Sequence, residues 1–535
     1  MRANIAYDGK SMNLKITDRF NQELPADESL VNQPRQVSDA AFSFVTPRHP
    51  SAPNVLHRSL EVARLIGLNE EDLESDDFVE IFSGAKQLPG TKPYAMCYGG
   101  HQFGSWAGQL GDGRAINLME VEHAGKHWTL QLKGAGATPY SRTADGLAVL
   151  RSSLREHLCS EAMYHLGIPT NRSLCLISTG DQVVRDVLYD GHPRPEPGAI
   201  VCRVAPSFIR FGSFEILASR NELKLLEMLA DYTIRHFFPK IDGSSPSRYV
   251  DFFSAVCQST IEMVLHWQRV GFVHGVMNTD NMSIHGETID YGPYGWLEGF
   301  DSDWTPNTTD RSHRRYRFGN QPQIALWNLV CLANALYPIV REAAPLQAAM
   351  DQAQADFNRK STEMQLAKLG VTDVLPGDGE LIAQLQLALQ AAETDMTLFY
   401  RLLGNCERTQ LESNPSHGLE VVQDALYEPD QLSGEVRQQW QAWFLAYGRR
   451  LGAAAMADDI RRRQMNGINP KYVLRNYMAQ LAIDAAEEGD NALIEELHRL
   501  LTAPYEEQPE SERWFAKRPD WARHKVGCSM LSCSS

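Results

Sequence analysis

His274-Gly-Val276-Met-Asn-Thr-Asp280-Asn281, followed nine residues on by Asp290-Tyr291-Gly292, carries the spacing from which the architecture of this chain can be inferred. Asn281 and Asp290 offer a side-chain amide oxygen and a carboxylate, hard ligands of the kind magnesium takes when it bridges nucleotide phosphates. Asp290 follows the short run Glu287-Thr288-Ile289 and opens an Asp-x-Gly turn. The competing reading is a hairpin whose Asn and Asp bond their own backbone. Val276 cannot accept a proton, which leaves Asp280 as the nearest carboxylate able to act as a base. A turn-bonding role for Asp280 stays open beside it.

Upstream of this stretch, residues 251–270 place Phe253, Val256, Cys257, Ile261, Val264 and Leu265 at three-and-four spacing, which predicts a helix that delivers the chain to His274. Another helix is predicted over 221–238, and others near 322–343, 379–404, 434–456 and 471–502. Ahead of residue 220 the pattern changes. Trp128-Thr-Leu-Gln-Leu-Lys133 alternates as a strand does, with Trp128, Leu130 and Leu132 on one face and Gln131 and Lys133 on the other. Further strands are predicted at 173–178, 182–188 and 199–205. One helix is predicted between Gly146 and Pro169, where Leu147, Leu150, Leu154 and Leu158 form a stripe that leaves Glu156 to one side. The proline-punctuated segment 1–90, with a helix expected at 55–68, reads as an extension packed on the body. The expected division is therefore 1–90 for the extension, 91–220 for a β-rich lobe, and 221–535 for a helical lobe carrying the metal loop and a cysteine-bearing tail.

A formal charge of −16 over 535 residues argues against a general nucleic-acid binder, whose affinity would come from Lys and Arg neutralising phosphates. No apolar run of signal or membrane-span length is visible, so a cytoplasmic protein without a membrane partner is expected. The nine cysteines have no zinc-ligand spacing. Cys528 and Cys533 are the two expected to be accessible.

A lobe of strands with one main helix, then a helical lobe with a metal loop just after the seam, is the order of a two-lobed, kinase-like α+β fold. A protein kinase reads His-Arg-Asp-x-x-x-x-Asn and then Asp-Phe-Gly here, the first Asp being its base. His274, Asn281 and Asp290 keep that spacing and Val276 replaces the base. Lys133 on a strand and Glu156 on the following helix match the kinase ion pair that positions ATP phosphates, although Glu161 competes for the lysine and a solvated lysine is the plainer account. Gln109-Leu-Gly111-Asp-Gly113-Arg114-Ala could bring backbone N–H groups close to phosphates, or could be a simple hairpin turn. Arg203 and Arg210, in an otherwise apolar segment, want an anion: either a terminal phosphate or a structural carboxylate. The basic run from Arg311 to Arg317 could meet a protein substrate or lie solvated.

Together these segments resemble the selenoprotein O family, kinase-like proteins that transfer AMP to protein hydroxyls. The matching strings include Gly100-His-Gln-Phe-Gly104, Gly108-Gln-Leu-Gly-Asp-Gly-Arg-Ala115, Leu132-Lys-Gly-Ala-Gly-Ala-Thr-Pro-Tyr-Ser-Arg142, Asp145-Gly146, the 274–281 stretch, Asp290-Tyr-Gly-Pro293, Asn320-Gln-Pro322 and Asn469-Pro-Lys-Tyr472. The resemblance implies ATP bound in reverse relative to a kinase, with the α-phosphate toward the target Ser, Thr or Tyr and Mg²⁺ or Mn²⁺ as the metal; UTP use is a close variant. Carried over by position, Lys133 and Glu156 pair, Arg203 and Arg210 hold the inward phosphates, and Gly111, Gly113, Arg114, Asp145 and Gly146 line the nucleotide site. Asn281 and Asp290 bind metal, and Asp280 accepts the proton. A monomer is the working expectation. A true kinase and a noncatalytic ATP-binding scaffold are the alternatives. Two departures bear on redox control. Met530 stands three residues before Cys533 where relatives carry a cysteine, and the segment Asp301 to Asp310 has no cysteine, which argues against gating by a disulfide there. A Cys528–Cys533 bridge is the remaining option.

Overall fold

Alternation that buries both faces produces the first half of the molecule. The computed structural model describes residues 12–532 apart from Leu188, Ala455 and Ser529. Its strands are β1 (Phe42–Phe44), β2 (Asn54–Arg58), β3 (Tyr94–Met96), β4 (Gly99–Gln102), β5 (Ser105–Gln109), β6 (Ala115–His123), β7 (Lys126–Lys133), β8 (Arg172–Arg185) and β9 (Arg194–Ala205). Seven of them form one antiparallel sheet in the order β1-β3-β6-β7-β9-β8-β2, and β4 pairs with β5 in a separate hairpin. Leu130 lies opposite Val204 and Leu132 opposite Cys202, and these four bury one face together with Ile116 and Leu118. The other face holds Lys133 and the cross-strand pair Gln131 and Arg203. The Leu150–His165 helix covers that face, so all three polar side chains are buried.

The second half is helical, and an N-terminal sheet followed by a large helical region is the kinase-like arrangement expected from the element order. The Arg248–Val270 helix ends at Gly271, whose left-handed φ of 77° is the usual C-terminal stop. Phe272–Val273 then pairs with Gly295–Trp296, so the segment between them hangs as a loop from a two-stranded clip.

Several local expectations need correction. Residues 55–68 are not one helix: Asn54–Arg58 is an edge strand on β8, and only Leu60–Leu65 is helical, capped by Ser59. The two strands expected at 173–178 and 182–188 are one long strand, β8, interrupted by register shifts; Leu188 lies outside the described residues. The 379–404 and 471–502 helices each break in two, at 392–395 and 488–491. A helix at Ala343–Lys368 was not expected; Leu346, Ala349, Met350, Ala353 and Phe357 form its packed stripe, but polar residues fill most of its remaining length. Phe318–Val340 is long and apolar enough to cross a membrane, contrary to the reading that no stretch approaches one; half of it is buried, against the Phe211–Ser219 and Arg248–Val270 helices. Cys528 is only 4% exposed rather than accessible, while Cys533 lies outside the described residues. The eight described cysteines are all free.

A cluster of imidazoles ties the last long helix, Ala492–Leu501, to the sheet lobe. His57 Nδ1 lies 2.8 Å from His157 Nε2, His157 Nδ1 lies 2.7 Å from Ser173 Oγ, and the His498 ring packs at a tilt with its centroid 4.5 Å from that of His57. Burial lowers the pKa of His57 and of His498 to about 4, so both are neutral in the folded protein. The unfolded chain protonates near the ordinary value of about 6.5. Stability is therefore full above that pH and falls as pH drops from about 6.5 toward 4, by about 1.4 kcal/mol per pH unit for each histidine. Thermal unfolding between pH 8 and pH 5 is expected to show this slope, and His498→Gln to flatten it; equal slopes would mean that the cluster does not control acid stability.

Candidate active site

The site is built around Asp290, which occupies a left-handed backbone conformation (φ 58°) just after the buried Ile289. Three cations converge on its carboxylate. Arg203 Nη1 donates to Oδ1 at 2.7 Å, Arg210 Nη1 donates to Oδ2, and Lys133 Nζ lies 3.6 Å from Oδ1. Lys133 Nζ is also 2.5 Å from Glu156 Oε2, and Arg203 Nη1 is 2.9 Å from Glu156 Oε1. Arg203 Nη2 donates to its cross-strand neighbour Gln131. Arg210 Nη1 donates to the Asp280 carbonyl at 2.8 Å, and Arg210 Nη2 lies 3.6 Å from Asp112 Oδ1. Three positive charges are thus balanced by three carboxylates in a buried cluster.

Burial alone would raise the pKa of Asp290, but Arg210, Arg203 and Lys133 together hold it well below the usual carboxylate range. Lys133 is shifted down by burial, partly offset by Glu156 and Asp290. The competition between Glu156 and Glu161 for the lysine is resolved by position: Glu161 accepts two bonds from Arg172, at 2.9 and 2.7 Å, and is taken up there.

The rest of the 274–294 loop is arranged around this cluster. His274 Nε2 lies 2.8 Å from the Ile289 carbonyl, and its ring stacks on Trp267, which anchors the loop to the Arg248–Val270 helix. Asn281 Nδ2 donates to the Val276 carbonyl at 2.9 Å, which fixes the orientation of the amide. Asp280 is buried; Oδ2 accepts from Gln102 Nε2 at 3.1 Å, while Oδ1 has no hydrogen-bond partner. Burial raises the pKa of Asp280 to about 7.

A cavity of about 690 Å³ opens beside these groups, within the range of roughly 300–1,000 Å³ typical of small-molecule sites. It brings together Gly111, Gly113, Arg114, Lys133, Asp145, Gly146, Arg203, Arg210, Asp280, Asn281 and Asp290, with Val276 also on its wall. Glu156 reaches the cluster from behind Lys133. Asp145 stands near the mouth, where Arg185 pairs with it at 2.7 Å. The Gln109–Ala115 segment is not a simple hairpin turn, since β5 and β6 belong to different sheets. Gly111 (φ 82°) is needed on packing grounds as well, because a Cβ there would overlap Tyr140.

The donor set fits a metal-bound triphosphate. Arg203 Nε and Arg210 Nε are buried and unpartnered, so each guanidinium has capacity left for an anion. Asn281 and Asp290 would hold Mg²⁺ or Mn²⁺ through one amide oxygen and one carboxylate. Sequence reasoning did not single out Gln102, Gly100 or Asp112. Gln102 bonds Asp280; Gly100 makes room for it, since a Cβ there would lie 2.7 Å from Asp280 Oδ1; Asp112 backs Arg210. Polar residues flanked by glycines, as in Gly100-His-Gln-Phe-Gly104 and Gly111-Asp-Gly113, were the available signal.

A family model described as protein adenylyltransferase SelO matches residues 29–502. A protein nucleotidyltransferase YdiU of Flavobacterium johnsoniae is 60% identical over 523 residues, covering 98% of this chain and 100% of the relative. Proteins of the same description from Rhodopirellula baltica and Aromatoleum aromaticum are 55% identical over 539 residues and 53% identical over 529, again covering 98% of this chain and 100% of each relative.

Proposed function

The chain belongs to the SelO family of protein adenylyltransferases, and from that membership we propose that it transfers AMP from ATP to Ser, Thr or Tyr hydroxyls of proteins. The observation that carries this reading is the position of the base. Position 276 is valine, while the buried Asp280 four residues on has a free carboxylate oxygen beside the cluster around Asp290.

In this reading Arg203 and Arg210 leave Asp290 and grip the β- and γ-phosphates, with Lys133 held by Glu156 to do the same. Asp290, released from the arginines, would hold the cation together with Asn281. Mg²⁺ or Mn²⁺, when bound there, would neutralise phosphate charge as it builds up on the leaving group. Gly111, Gly113, Arg114, Asp145 and Gly146 contact the nucleotide along the cavity wall. The substrate hydroxyl oxygen bonds to the α-phosphorus, the α–β phosphoanhydride bond breaks, the hydroxyl proton passes to Asp280, and pyrophosphate leaves. Fixed cations aimed at the forming pyrophosphate supply a predominantly electrostatic share of the rate. Use of UTP to transfer UMP requires no change in these groups. The functional division at about residues 90 and 220, a monomeric state and a cytoplasmic location belong to the same proposal.

Incubation with ATP labelled at the α-phosphate is expected to label protein, and ATP labelled at the γ-phosphate to leave it unlabelled. Intact mass spectrometry separates AMP, UMP and phosphoryl adducts. Transfer of γ-label would make the protein a kinase, and nucleotide binding without transfer to any of a range of proteins would make it a scaffold.

A further inference from the structure

The basic run that follows the metal loop has no use in the nucleotide chemistry described above. Arg311, His313 and Arg314 are exposed, and Arg315 is half-buried. Among the described residues, Arg317 pairs with Asp303 at 2.9 Å, whereas Arg311, His313, Arg314 and Arg315 have no carboxylate within ion-pairing distance. The nearest acid, Asp310, is buried with its two oxygens accepting the backbone N–H groups of Arg315 and Tyr316, at 3.0 and 2.7 Å. That turn holds the backbone of Arg315 and Tyr316, and its carboxylate offsets part of the charge of Arg315 and His313, leaving Arg311 and Arg314 without a carboxylate partner.

Arg315 is the unusual member. Its guanidinium lies over the Trp327 ring, 4.6 Å from the centroid, in space left by Gly104, where a Cβ would come within 3.2 Å of Cζ. Nε and Nη2 are both buried and without a hydrogen-bond partner. The charge of this guanidinium is therefore poorly solvated, and an anion at the half-exposed edge of the residue would offset part of that cost. The nucleotide is not that anion, because Arg315 does not line the nucleotide cavity.

A chain of contacts joins this patch to the proposed base. Tyr316 Oη donates to Asn278 Oδ1 at 2.6 Å, and the Phe103 N–H donates to Tyr316 Oη at 2.9 Å. The neighbouring Gln102 holds Asp280. Phe103 and Trp106, on the same β4–β5 hairpin, are 38% and 39% exposed. The cationic loop and the two exposed aromatic rings therefore lie beside the cavity that Gln102, Phe103 and Asp280 line. In a chain of net charge −16, this local concentration of positive charge favours a partner of opposite sign.

We propose that the protein substrate presents its target hydroxyl on an acidic segment, whose carboxylates dock on Arg311, Arg314 and Arg315 while an apolar side chain lies against Phe103 and Trp106. The proposal rests on the adenylyltransferase reading for the identity of the reaction, but the docking itself is a binding property that needs no turnover.

Two fluorescein-labelled peptides test it, each with a central Ser and Tyr and one Phe, flanked by Glu in the first and by Lys in the second. Fluorescence anisotropy with the full-length protein is expected to show the acidic peptide bound at least about tenfold more tightly, with affinity falling as salt is raised. Arg311→Glu/Arg314→Glu alters only exposed side chains and is expected to reverse the preference; Arg315→Gln should weaken the acidic peptide about tenfold. Equal binding of the two peptides, or an acidic preference that survives the double reversal, overturns the proposal. Transfer from α-labelled ATP to the same peptides separates the two readings. Charge-selective binding with no AMP transfer, either to the acidic peptide or to the range of proteins above, supports the docking surface and removes the reaction, and transfer to both peptides without selective binding does the opposite.

Discussion

Asp290→Ala is expected to lower AMP transfer at least about a thousandfold, equivalent to about 4 kcal/mol of transition-state stabilisation, while metal-free ATP binds at least as tightly as to the native protein. The two halves of this result have separate causes. The carboxylate is the only charged ligand proposed for the metal, so its removal takes away charge neutralisation at the leaving group. The same carboxylate would compete with phosphate for Arg203 and Arg210, both of which it bonds directly. Without it the arginines lose a partner, and a buried pair broken on one side destabilises by about 3–5 kcal/mol. A lower melting temperature that ATP restores in the presence of EDTA is therefore expected. Activity within tenfold of native would remove Asp290 from the metal site, and loss of metal-free ATP binding would show that the arginines do not face the phosphates.

Asp280→Asn is expected to reduce kcat by about 10²- to 10⁴-fold, the usual contribution of a positioned base, with KM for ATP changed by no more than about twofold. The substitution is nearly isosteric, which matters because Gly100 leaves no spare room around this side chain. Gln102 can turn its amide to bond either side chain, so packing is preserved and the proton-accepting oxygen is lost. A near-native kcat would mean that the hydroxyl is deprotonated elsewhere. A large rise in KM with kcat intact would assign Asp280 to binding.

The sequence was most legible where a local period determines which way a side chain faces. Alternation in β7 put Lys133 and Gln131 opposite the leucines, and the structure shows the same division. Helical spacing likewise located the Arg248–Val270 helix that leads to His274. It was less legible where the outcome depends on a partner far along the chain. Glu156 and Glu161 lie on one helix, and only Arg172 on β8 decides which of them is left for Lys133. Val55 and Leu56 suit a helix as well as a strand until their pairing with β8 is known. The helix Ala343–Lys368 is polar outside the short stripe of Leu346, Met350, Ala353 and Phe357, and burial of Cys528 depends on contacts such as the bond from Asn476 to its carbonyl. In the site, residues that resemble a known pattern could be named in advance. Gln102 and Asp112 act through other side chains, so no chemistry of their own marked them.

Both outermost strands of the large sheet come from the first sixty residues, and β2 pairs with a stretch of β8 about 120 residues later. At a synthesis rate of about 5–20 residues per second, β2 leaves the ribosome roughly 6–25 s before its neighbour exists. For that interval an extended segment with unmet backbone hydrogen bonds waits in the cell, a template for pairing with the wrong chain. Newly made molecules would therefore be most vulnerable to aggregation early in translation, well before any part of the nucleotide cleft has been assembled.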